Sequence, residues 1–171
     1  TRILKRAKEL VNDGVEVLAS EPLQFFLGNK VKINDFNADA LQRFSLLDDN
    51  DIISSIKAWM NHPDYVLSEL SKMILNRKLL KIQLSKEEIT EEILFKKRKE
   101  FIEKTNLNAD VSEYFVFKES ISNTAYSSEN QNINIVLKNG KKVDVAEASD
   151  HFNLQALEEK VVKYYICYPK K

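Results

Sequence analysis

Residues Leu46–Leu84, LLDDNDIISSIKAWMNHPDYVLSELSKMILNRKLLKIQL, decide how the rest of the chain is arranged. Their apolar residues recur first every three or four positions and then every second one, which predicts two helices feeding a short strand. The first helix begins near Asp48 or Asp49, whose carboxylates can accept hydrogen bonds from the free N–H groups of its first turn. Ile52, Ile53, Ile56, Trp59 and Met60 make its apolar face. Pro63 ends it and suits the first turn of the next helix. There Val66, Leu67, Leu70, Met73 and Ile74 form the buried stripe. Arg77 and Lys81 follow at the helix end, and LLKIQL alternates as a strand.

Upstream the pattern is helical throughout. Ile3, Leu4, Ala7, Leu10 and Val11 mark one face of an opening helix, and Asn12-Asp13-Gly14 stops it. Ser20-Glu21-Pro22 starts a short helix that carries Phe25, Phe26 and Leu27. KVKINDF is an extended link, and Asn37 caps a helix over 38–46 that turns Ala40, Leu41 and Phe44 inward. Downstream, Ser85 with Glu88 has the capping-box spacing, opening a helix to about Lys104 that buries Ile89, Ile93, Leu94, Phe101 and Ile102. From Tyr114 the period becomes alternating. YFVFKES is a strand and SISNTAYSSENQ a polar loop. Asn139-Gly140 is the preferred centre of a two-residue hairpin turn, pairing Ile133–Leu137 with Lys142–Ala146. Asp150 to Glu159 forms a short helix, and VVKYYICYP closes the chain as a strand of the same sheet.

The fold class is therefore α+β: a helical first half, then a small, mainly antiparallel sheet with packed helices. The boundary falls near 79–85, giving units 1–82 and 83–171. A chain of 171 residues with 43% hydrophobic and 30% charged residues buries a real core. Lys plus Arg and Asp plus Glu number 26 each, which argues against bulk attraction to nucleic acid or anionic membrane. No apolar run has the length of a membrane span. Cys167 is alone, so no disulfide forms within the chain, and a cytoplasmic setting is the expectation. The residue fills a strand face. The chain opens in mid-helix without Met, as a piece of a longer protein would.

Arg77-Lys78-Leu79-Leu80-Lys81, after LSELSKMIL and with LDDNDIISSIKAW upstream, resembles the C-terminal part of HD-superfamily phosphohydrolases. The branch it looks most like is that of the deoxynucleoside triphosphate triphosphohydrolases. Members carry Arg-x-Leu-Phe-Lys here, and Leu80 replaces the aromatic. The resemblance extends from RILKRAKEL to VVKYYICYP. It implies a metal-dependent nucleotide phosphohydrolase as the parent, with a divalent metal in an HD part outside this chain and no cofactor inside it. It also implies a homo-oligomer built with the remainder of the HD domain. In effector-activated members the Arg and Lys matching Arg77 and Lys81 reach a nucleotide phosphate at a subunit interface. A planar fork beside a point charge suits that role. The alternative is that both satisfy helix-end carbonyls and solvate the surface.

The residues themselves carry no catalytic set. An HD centre needs a His, an adjacent His-Asp pair and a further Asp, whose metal then lowers the pKa of a bound water. His62 precedes Pro63, and Asp150-His151 is in reverse order. Asp48, Asp49 and Asp51 read as a helix N-terminus rather than a cation loop. Lys96, Lys97, Arg98 and Lys99 lie among Glu91, Glu92, Glu100 and Glu103, so a solvated face of ion pairs is the simpler account than nucleic-acid binding. The leading reading is the non-catalytic C-terminal portion of a phosphohydrolase, contributing interface and effector contacts; its rivals are a protein-interaction module without hydrolase partners and, behind it, an RNA- or DNA-binding domain built on FKKRKE.

Overall fold

The computed structural model describes residues 2–123, 134–144 and 161–170. Helices α1 (Arg2–Asn12), α2 (Glu21–Gly28), α3 (Ala38–Leu46), α4 (Asp49–Trp59) and α5 (Tyr65–Leu75) fill the first half. Strand β1 (Lys81–Ser85), helices α6 (Glu91–Thr105) and α7 (Ala109–Phe115), and strands β2 (Phe117–Asn123), β3 (Asn134–Val136), β4 (Lys142–Asp144) and β5 (Val161–Tyr168) follow. The class is α+β, as the change of period predicts.

The helix starts are set by short polar side chains that accept hydrogen bonds from first-turn N–H groups. Asn37 caps α3 through Ala40 N–H at 2.9 Å, and Asp64 caps α5 through Leu67 N–H at 2.8 Å. Asp48 and Asp51 close a reciprocal box at the start of α4, which accounts for the acidic cluster as a helix start. Pro63 lies just before the α5 cap rather than inside its first turn. Gly14 takes φ +78° just after α1, where a Cβ would be strained.

One buried cluster runs from Ile3, Ala7 and Leu10 of α1 through Trp59, Leu67 and Leu70 to Phe101, Phe115 and Ile166. Trp59, 1% exposed, donates its indole N–H to Leu18 C=O at 2.7 Å. Arg6 and Asp64 tie α1 to the start of α5 by two parallel bonds of 3.1 and 2.6 Å.

Several expectations need correcting. In α3 only Ala40 is buried; Leu41 and Phe44 are more than half exposed, and Phe44 instead meets the rings of Phe26 and Phe36 edge-on. Ile53 and Ile93 also lie outside the core. The link before α3 contains a 3-10 turn, Ile33–Asp35. Thr90, not Ser85, caps α6; the Ser85 hydroxyl instead accepts from Glu87 N–H. Tyr114 and Phe115 belong to α7, started by the Asn108 cap, and β2 begins only at Phe117. The strand then runs on through Ser120–Asn123, where a loop was expected.

The main sheet has the order β1-β5-β2, both pairs antiparallel, with Lys81 opposite Tyr168 and Phe117 opposite Cys167. The expected hairpin β3–β4 forms, but its turn is not the two-residue one the sequence suggests: Ile135 lies opposite Val143, one residue from the register such a turn sets, and the described pairs make a separate two-stranded sheet. Its loop holds three residues, Lys138 to Gly140. Leu137 N–H donates to Lys141 C=O, and Gly140 takes φ +79° in the left-handed position such loops require. The expected helix from Asp150 to Glu159 and most of the polar loop before 134 fall outside the described residues.

Candidate functional site

The segment that joins the helices to the sheet starts where α5 stops. Lys78 N–H donates to Met73 C=O at 2.9 Å and Arg77 N–H to Ile74 C=O at 3.2 Å. This is the paired backbone closure that ends many helices, and it requires a left-handed residue. Glycine is the usual occupant; here Arg77 takes it, at φ +55°. A side chain with a Cβ costs roughly 1–2 kcal/mol there. These carbonyls are thus satisfied by the backbone, and capping them leaves the Arg77 side chain no task. Arg77 is exposed, and its guanidinium makes no hydrogen bond, ion pair or ring contact among the described residues.

Lys81 opens β1 four positions on, so the two Cα atoms are at most about 14 Å apart. Its ammonium group is 5.8 Å from the centre of the Tyr168 ring, its partner across the strands. Lys97 of α6 approaches the same ring at 4.9 Å and pairs with Glu100 at 2.9 Å. Tyr168 donates its hydroxyl to the Gln83 side chain. Lys81 therefore rests on Tyr168 of β5, a ring it shares with Lys97 of α6, and sequence order alone did not bring these three together. Strand pairing across the whole second half is what unites them. Two further members of the basic run are paired: Arg98 binds Glu113 and Val116 C=O, and Lys99 approaches Glu103.

Beneath Leu79 and Leu80 lies a cleft of about 760 Å³, bounded by α1, α5, α7 and the sheet. Residues opposite one another in antiparallel strands share a face. Ile82, Cys167 and Phe117 therefore form one row of the sheet floor, and Leu84, Tyr165 and Glu119 the next. Glu119 accepts from Arg2 at 2.8 Å and, on its other oxygen, from the Tyr165 hydroxyl at 3.0 Å. Burial, and secondarily Glu119, pushes the Cys167 thiol above its ordinary value. Cys167 is buried and fills a strand face, as expected.

The histidine within the described residues is structural. Asp64 N–H donates to His62 Nδ1 at 3.0 Å, so the ring proton sits on Nε2, which donates to Glu16 C=O at 3.1 Å. His151 lies outside the described residues. Among those described, no three His, Cys, Asp or Glu side chains come close enough to hold a metal ion. No described helix is long and apolar enough to cross a membrane.

The molecule is thus an α+β assembly with a cationic, backbone-strained segment where its helices meet its sheet. It is similar to a phosphohydrolase from Bacteroides thetaiotaomicron VPI-5482, known from its crystal structure, with a TM-score of 0.78 and 40% sequence identity. The match covers 99% of this chain and 43% of that one, so the chain spans less than half the length of that protein. No family model matches the sequence, and no curated protein does.

Proposed function

We propose that this chain is the non-catalytic, C-terminal portion of a metal-dependent HD-family nucleotide phosphohydrolase of the triphosphohydrolase-like branch. The observation that carries the phosphohydrolase reading is the 40% identity sustained over nearly all of the chain. Residues 1–82 complete the helical body of that enzyme and 83–171 form its C-terminal lobe, in a cytoplasmic homo-oligomer. Phe36, Leu41, Phe44 and Leu46, all exposed, supply apolar surface for the remainder of the protein. The divalent metal that the resemblance implies finds no donor set among the described residues, and none of them is assigned to hold it.

Arg77 and Lys81 bind the phosphate of an effector nucleotide. The unengaged guanidinium on a strained backbone supports this reading, since strain is retained where the side chain it presents is used. In the longer enzyme, the double change Arg77→Ala, Lys81→Ala leaves the melt of the protein nearly unchanged. Each charge-assisted bond lost weakens nucleotide activation about ten- to a hundredfold. Activation that survives the double change intact removes the effector role. A parent sequence without an HD-bearing helical part favours the second reading, an interaction module whose exposed edge strand β1 presents Ile82 and Leu84 to a protein partner.

A further inference from the structure

We propose that the cleft between α1, α5 and the sheet is a binding site for a fatty-acid-type ligand, an apolar chain ending in a carboxylate. This goes beyond the phosphohydrolase reading and does not depend on it. The volume, about 760 Å³, lies in the range of small-molecule sites, which gather at junctions between structural units. Its lining is mainly aliphatic and aromatic: Ile3 on one wall, Leu70, Met73 and Leu80 on the other, Phe117 and Ile82 on the floor.

The polar groups of the lining identify the ligand's head. Both oxygens of Glu119 are occupied, one by Arg2 and one by Tyr165, and the Tyr114 hydroxyl is held by Glu9. Two cations keep donors to spare. Arg2, stacked on Phe117 at 4.3 Å, gives one of its five N–H groups to Glu119. Lys5, one helical turn on, reaches its nearest carboxylate, Glu9, only at 3.7 Å and makes no hydrogen bond among the described residues. What the cleft has left to offer is apolar surface and cationic N–H groups at one end. A cation would be repelled by Arg2 and Lys5, and a neutral head gains only uncharged hydrogen bonds from them, whereas an alkanoate matches both the apolar surface and the cationic donors.

Titration calorimetry of the purified protein with decanoate, octanoate and octan-1-ol tests this. Each methylene buried strengthens binding about fourfold, so decanoate binds of the order of fifteenfold more tightly than octanoate. Octan-1-ol binds more weakly than octanoate. Lys5→Gln lowers octanoate affinity about two- to fivefold and leaves octan-1-ol unchanged, because an exposed ammonium contributes modestly. Met73→Trp fills the cleft and abolishes uptake of all three. Should that variant lose its cooperative melt, Ile82→Glu at the exposed edge serves instead, repelling the alkanoates without touching the core. The proposal is overturned if neither alkanoate binds or if affinity ignores chain length. Equal affinity for alcohol and carboxylate, or binding unchanged in the variant that keeps its fold, also overturns it.

Discussion

Replacing Arg77 by glycine should make this protein more stable, although it removes a long side chain from the segment most suggestive of function. At φ +55° an L-residue pays roughly 1–2 kcal/mol that glycine does not. Glycine gives part of this back, about 0.5–1 kcal/mol, because its unfolded chain is freer. No side-chain contact among the described residues is lost. The net gain is therefore up to about 1.5 kcal/mol, which for a chain of this size raises the melting temperature by up to about 6 °C. Arg77→Ala keeps the strain and should melt near the parent, so the contrast between the two variants isolates the backbone contribution. Calorimetric melts of the three proteins at one pH and salt concentration measure it. If Arg77→Gly melts at or below Arg77→Ala, the left-handed position is not a source of strain. If both fall by several degrees, the guanidinium supports the fold and is not held in reserve.

Asp64→Ala removes both a helix cap and the Arg6 pair, and should cost about 2–3 kcal/mol in urea unfolding. Burial disfavours the charged Asp64 carboxylate, but the Arg6 hydrogen bond, the Leu67 N–H and the Arg6 charge together outweigh it and hold the group below its usual value. Its folded pKa is therefore lower than its unfolded one. The stability it supplies is complete above the ordinary carboxyl range and lost as pH falls through the depressed value, and Asp64→Asn should flatten that acid limb. Trp59→Phe leaves the Leu18 carbonyl without its donor and should cost about 1–3 kcal/mol, with unfolding followed by circular dichroism because the single tryptophan is gone. Cys167 has the opposite sign from Asp64: its raised folded pKa means stability is intact below the ordinary thiol pKa and declines as pH rises past it. Cys167→Ala should remove that alkaline slope, and Ellman's reagent should label the native thiol only at the rate of opening.

Local signals were legible where they were short-range and chemically specific. Asn37, Asp48 and Gly14 act where the sequence puts them, because a cap or a left-handed turn depends on neighbours a few positions away. The apolar stripe of α1 was equally readable, and that of α5 as far as Leu70, whereas Ile74, expected in the stripe, is exposed. Leu41 and Phe44 were not, since their spacing suits a core face, yet α3 lies at the margin and packs mainly on α2. Helix α7 was hidden because Tyr114, Phe115 and Phe117 read as alternation, while the deciding residue was the cap Asn108. At the candidate site, Arg77 and Lys81 came from the sequence, but the strained backbone of one and the Tyr168–Lys97 setting of the other arise from tertiary pairing. The cleft has no sequence signature, being assembled from residues that lie between Arg2 and Cys167.

The central position of β5 also governs the order in which the molecule can assemble. Among the described residues β1 and β2 do not pair with each other; each pairs with β5, and Lys81 meets Tyr168 across about ninety residues of chain. Helices α1 to α5 lie within the first 75 residues and can form as soon as they leave the ribosome, whereas the sheet must wait until its middle strand has been synthesised. During that interval Ile82 and Leu84 have no neighbouring strand, and nascent chains are most open to mispairing with one another. Supplying residues 161–170 as a separate peptide to a chain that lacks them would turn sheet closure from a wait within one molecule into an encounter between two, with a rate that rises with peptide concentration.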